Sequence, residues 1–150
     1  MTETNDQLDR DVRWQVYDVT MRTGIPPSSR QVAQSLHVEA DDALATFRRL
    51  ADAHILVLQR DSGEILMANP FSAVPTPFAV DASGLLAYGN CIWDALGIPA
   101  MLNRDARITT SCGDCGTMAE VVVESGSVRG EGVIHFAIPA REWWNDIVFT

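Results

Sequence analysis

Three cysteines, three histidines and a small set of acids carry most of the chemistry open to this sequence. Cys91 and Asp94 stand three apart, so on a helix their side chains share a face. Asn90 just ahead of them is a good helix cap. A cysteine in the first helical turn faces free backbone N–H groups, which stabilise a thiolate and lower its pKa. A thiolate is both a nucleophile and a ligand for soft metals, and a carboxyl beside it can accept or deliver a proton. The same two residues also suit a buried small cysteine next to a solvated acid. Spacing alone leaves both readings open.

Cys112 and Cys115 form Cys-Gly-Asp-Cys-Gly. Cys-x-x-Cys can bring two sulfurs to one metal or close a disulfide. A structural zinc site wants four ligands, and the sequence has no second Cys-x-x-Cys. Cys91 with His37, His54 or His135 would complete a site only if the fold gathered them. His135, inside the apolar run 133–138, reads as a core residue, and His37 and His54 as structural. Trp93, Trp143 and Trp144 are packing residues that could also wall a dry pocket beside Cys91.

These residues must be positioned by an α+β chain. Leu8, Val12, Val16 and Val19 recur at helical spacing and predict a helix over 7–22. Gly24 and Pro26-Pro27 end it. Ser28 with Gln31 reads as a capping box opening a helix over 30–36. A third helix is predicted over 41–53, with Leu44, Phe47, Leu50 and Ala51 on one face. Runs 55–58 and 65–68 flank Asp61-Ser62-Gly63 and predict a β-hairpin. Three helices and a hairpin resemble a winged helix-turn-helix, with Arg48 and Arg49 on the reading helix.

Pro70, Pro75 and Pro77 make 69–80 an extended connector, unsuited to helix or central strand. The expected organisation is a winged-helix-like module over 1–69, a connector over 70–80 and a mixed α/β domain with a small, mainly antiparallel sheet over 81–150. In that last part a short helix is predicted over 91–96, closed by Gly97 and Pro99. Strands are predicted over 107–110, 118–123 and 132–138, with a turn at Ser125-Gly126. A helical turn is expected over 141–145 and the start of a strand over 147–149.

The chain has 150 residues, 47% hydrophobic and 21% charged, an ordinary globular composition. Its 20 acids outnumber 11 bases, every base is arginine, and the net charge is −9. Residues 1–70 hold 7 arginines and 11 acids, so even the helix-turn-helix part opposes a phosphate backbone. Nucleic acid is therefore a poor partner, and scaffold use of that module is favoured. An odd cysteine count behind a polar, acidic start predicts thiol or metal chemistry in a reducing, cytoplasmic setting. No apolar run approaches the roughly 20 residues of a membrane span.

Three stretches carry a more specific signal. Pro70-Phe71-Ser72-Ala73-Val74-Pro75-Thr76-Pro77-Phe78, then the run Tyr88-Gly89-Asn90-Cys91-Ile92-Trp93-Asp94-Ala95-Leu96-Gly97-Ile98-Pro99-Ala100, then Arg107-Ile108-Thr109-Thr110-Ser111-Cys112, together resemble the alkylmercury lyase (organomercurial lyase) family. The likeness covers most of 70–150. It implies a winged-helix-like module ahead of an α/β active-site domain. It also implies protonolysis of a carbon–mercury bond to a hydrocarbon and Hg(II), without an organic cofactor. By the same resemblance Cys91 is a mercury-binding thiolate, Asp94 the proton carrier and Cys112 a structural cysteine. Organomercurials are then the substrates, and small thiols bring substrate and remove product. The family's second catalytic cysteine falls just past Thr150, which makes Cys115, with Cys112 behind it, the nearest candidate to supply the second sulfur. Zinc at Cys112 and Cys115 stays open, as does a mercury- or zinc-sensing regulatory protein built on the same three cysteines.

Overall fold

A computed structural model describes residues 2–149. Its first part is helical: α1 (Thr2–Thr23), α2 (Ser29–Leu36) and α3 (Ala40–Asp52). The predicted capping box forms. Ser28 Oγ accepts from the Gln31 amide, and Gln31 Oε1 accepts from the Ser28 amide at 2.8 Å. Val12, Val16, Val32, Phe47 and Leu50 pack with Leu56, Ile65 and Ala68 into one core. Arg49 on α3 does not face outward for a phosphate. Its guanidinium is held by Asp9 on α1, at 2.6 Å, and by Thr46 Oγ1.

β1 (Val57–Leu58), β2 (Ile65–Ala68) and β3 (Phe71–Ser72) form a small antiparallel sheet in that order. The proline-rich segment is thus less of a bare connector than its composition predicts. Its two ends are strands, because the prolines at 70, 75 and 77 leave 71–72 and 79–82 free to pair.

The second sheet has five strands, ordered β5-β4-β6-β7-β8 and antiparallel throughout. They are β4 (Ala79–Ala82), β5 (Leu85–Tyr88), β6 (Ala106–Ser111), β7 (Met118–Glu124) and β8 (Ser127–Arg129). Ser125-Gly126 makes the expected turn, both residues at positive φ. Phe71, Val80, Ala82, Ala87, Ala95, Ile98, Ile108 and Val123 form the second core.

Four expectations fail here. The helix after Cys91, α4, runs Ile92–Leu102, straight through Gly97 and Pro99. An interior proline removes a helical hydrogen bond, but Ile98 and Pro99 are buried and Gly97 lies against the Pro70 ring. Burial of that face keeps the helix going until Asn103, in the left-handed region, ends it. The predicted strand over 132–138 does not form. The strand there is the short β8, after which Gly132, at φ +126, turns the chain out of the ladder. His135 is accordingly exposed rather than in a core. The helical turn at 141–145 appears as a 3-10 helix, Ala140–Asn145. Residues 147–149 form a turn rather than a strand. No helix among the described residues is long and apolar enough to cross a membrane.

Candidate active site

The site is built where β5 hands over to α4. Tyr88 closes the strand, Gly89 bridges to Phe71, and Cys91 caps the helix from an extended backbone. The crossover is tight. Thr76 Oγ1 donates to the Gly89 carbonyl at 2.6 Å, and a Cβ on Gly89 would lie 2.5 Å from the Ala95 nitrogen. Only a residue without a side chain lets the helix start this close to the strand. The first turn of α4 then presents Cys91 and Asp94 together.

Asp94 is held by its neighbours. Asn90 Nδ2 donates to Asp94 Oδ2 at 2.9 Å and to Asn69 Oδ1 at 3.1 Å. Asn69 is anchored in turn by the Tyr17 hydroxyl of α1, which donates to its carbonyl at 3.1 Å. A cis peptide joins Asn69 to Pro70. Helix α1, the β2–β3 turn and α4 therefore meet at one carboxyl. Asn90 Oδ1 is buried and has no partner among the described residues.

Cys91 and Asp94 open into a cavity of about 440 Å³. Asn69, Asn90 and Asp94 supply its polar side, and Phe78, Trp93, Phe136 and Trp143 its aromatic side. Trp144 and 147–149 complete the wall. Phe136 packs edge-on to Trp93 at 6.3 Å and tilted to Trp143 at 5.2 Å. These rings also wall an apolar cleft of about 470 Å³ on their other side. The segment predicted as a strand thus lines the site instead. Trp144 stacks on His54 with ring centres 4.1 Å apart, which ties the C-terminal wall to the end of α3.

Burial sets the protonation chemistry. Desolvation raises the Asp94 carboxyl above the ordinary carboxylate range, against the opposing hydrogen bonds from Asn90. The Cys91 thiol is also raised, first by burial and further by the Asp94 charge, although the Asp94 and Trp93 amides pull the other way. The predicted low-pKa thiolate is therefore not what the fold makes. The helix N-terminus acts on this sulfur, but half-burial among rings and beside an acid outweighs it. Burial likewise raises the Tyr17 phenol, and Asp94 adds to it. Burial thus raises the proton affinity of both groups.

Cys112 and Cys115 are elsewhere. They sit on the turn joining β6 to β7, exposed, and neither lines the cavity. The Cys112 amide donates to Thr117 O at 2.8 Å and the Gly116 amide to Cys112 O at 2.9 Å. Cys115 Sγ lies 3.2 Å from Thr117 Oγ1. Hydrogen bonding with the Thr117 hydroxyl and backbone, and then with Cys112, lowers the Cys115 thiol to about 7. Among the described residues no three His, Cys, Asp or Glu side chains gather as a metal site. The expectation of one metal set made of Cys91, Cys112 and Cys115 thus finds no such cluster, because the β6–β7 ladder runs to Ser111 and Met118 and holds the turn beyond the sheet. The histidines, all exposed, add no ligand.

Asn69, Tyr17, Phe78 and Phe136 escape sequence reading. Asn90 was legible only as a cap, although its place four residues before Asp94 is a recognised helical side-chain pairing. The others reach the site from far along the chain, and local pattern carries no trace of them.

An acid and a thiol on one helical turn, in a ring-lined cavity on a mixed α+β fold, define a thiol-and-proton chemistry. Comparison with known proteins names the family. The alkylmercury lyase family profile matches residues 71–150, and this chain belongs to that family. Over 115 residues it is 28% identical to an alkylmercury lyase of Streptomyces lividans, covering 77% of this chain and 51% of that protein. Its fold is similar to the mercury-bound form of MerB2, with a TM-score of 0.58 and 21% identity over 74% of this chain and 53% of that one. The chain spans about half the length of these relatives.

Proposed function

We propose that this chain protonates carbon–mercury bonds, with Cys91 as the mercury-binding sulfur and Asp94 as the proton carrier. The observation that carries this reading is a half-buried Cys91–Asp94 pair facing an aromatic cavity. The substrate is an organomercurial carried as its small-thiol adduct. Cys91 sulfur adds to mercury as its proton passes to Asp94. Asp94 then delivers that proton to the carbon as the carbon–mercury bond breaks. The products are a hydrocarbon and Hg(II) bridging Cys91 and the small thiolate, so atoms balance and nothing is oxidised. Soft mercury favours sulfur over every oxygen ligand nearby. Cys112 and Cys115 lie outside the cavity, so neither supplies the second sulfur in this reading. The raised Asp94 pKa supports the role, because burial makes the carboxylate a better acceptor for the Cys91 proton.

Residues 1–69 serve in this reading as a winged-helix-like scaffold, 70–80 as the connector and 81–150 as the lyase domain, in a cytoplasmic, thiol-rich setting. Tyr17 bracing Asn69 is what the scaffold contributes to the site. The test is release of hydrocarbon from phenylmercury with excess thiol. Asp94→Asn is expected to abolish release while Hg(II) still binds. Full turnover by that variant would sink the assignment. Salt-dependent duplex binding without any hydrocarbon release would instead favour the metal-sensing alternative.

A further inference from the structure

The geometry points to the Cys112–Cys115 turn as a second, separate site, which takes the inorganic Hg(II) ion between two exposed thiolates after it leaves the cavity. Its receiving role rests on the lyase reading above; its capacity to bind the ion does not.

Three observations carry it. The first is the donor set. Cys112 and Cys115 stand three apart on one turn, both exposed, with no disulfide between them. Among the described residues no third or fourth ligand joins them. Zinc in a structural site asks for four ligands, whereas Hg(II) is satisfied by two sulfurs in line. A two-thiol pair therefore suits the softer ion.

The second is room. A Cβ built on Gly113 or Gly116 meets nothing within 4 Å, so the turn stands clear of the body and can open to place the two sulfurs on either side of an ion.

The third is placement. Tyr88 of β5 and Thr109 of β6 both pair with Ala79 of β4. β5 and β6 run in the same direction on either side of β4. Cys91 comes three residues after Tyr88, and Cys112 three residues after Thr109. Both strands therefore leave the sheet at the same end, about two strand spacings apart, roughly 10 Å. Phe78, which lines the cavity, enters β4 at that same end.

The exchange is balanced. Two Cys–S–H bonds break and two S–Hg bonds form, while the two small thiolates that carried the ion leave as thiols. No electron moves. The pair outcompetes separate thiols because, once one sulfur is bound, the second is held at high effective concentration.

The experiment uses the whole chain and no turnover. One equivalent of Hg(II) chloride is added with a tenfold excess of glutathione. Free thiols are then alkylated with iodoacetamide and located by peptide mass. Relative to the same alkylation without mercury, Cys112 and Cys115 are expected to be protected at least tenfold and Cys91 to be unchanged. Cys115→Ser should remove the protection of Cys112. Protection of Cys91 with alkylation of both turn cysteines would overturn the proposal, as would equal protection of the turn by one equivalent of Zn(II). Failure of phenylmercury cleavage would sink the lyase reading alone, since this measurement does not use it.

Discussion

Gly89→Ala tests how the fold aligns the site. A methyl on Gly89 would sit 2.5 Å from Ala95 N, 2.8 Å from Ala95 Cα and 2.9 Å from Ala95 Cβ. Ordinary contact is about 3.5 Å, so strand and helix must part by about 1 Å. The obstacle is backbone, not a flexible side-chain end, and Ala95 is fully buried in the second core. Overpacking of this kind costs about 2–3 kcal/mol, or roughly 5–10 °C in Tm at this chain length. Asp94 directly precedes Ala95 and moves with it. A displacement of about 1 Å at reacting groups can lower turnover roughly 100-fold. The assay pairs calorimetry with hydrocarbon release from phenylmercury. Gly113→Ala is the control, since a Cβ there meets open space, and it should change neither quantity. Parental Tm and parental turnover in Gly89→Ala would refute the claim that this contact sets the geometry of the pair.

Other outcomes follow from the same contacts. Because the Asp94 pKa is raised in the folded chain, that chain holds the extra proton; the contribution is favourable at low pH and is lost as pH rises from the ordinary carboxylate pKa through the raised one. Asp94→Asn, uncharged throughout, should therefore raise Tm relative to the parent more at pH 8 than at pH 4, which thermal melts at the two pH values check. Asn90→Ala removes the side-chain hydrogen bond that opposes this shift, so the limb of the pH–rate profile belonging to Asp94 should move to higher pH. Iodoacetamide should react at Cys115 with an inflection at about 7, while Cys91 reacts only at higher pH, as quantified by peptide mass. Phe71→Ala, at a fully buried ring, should cost about 3–5 kcal/mol by denaturant titration.

The sequence by itself determined the local facts. Ser28 and Gln31 closed a capping box and Ser125-Gly126 turned β7 into β8, while the helix expected to start behind an Asn90 cap starts one residue later, with Cys91 itself as the cap. Such features rest on interactions within four or five residues, which the order of side chains dictates. Only tertiary structure decided that α4 runs through Pro99, that 132–138 walls a cavity instead of forming a strand, and that Asn69 and Tyr17 reach the acid from distant elements. It also reversed the expected pKa of Cys91. Desolvation depends on what far parts of the chain pack around a group, and that sum is not written in any local spacing.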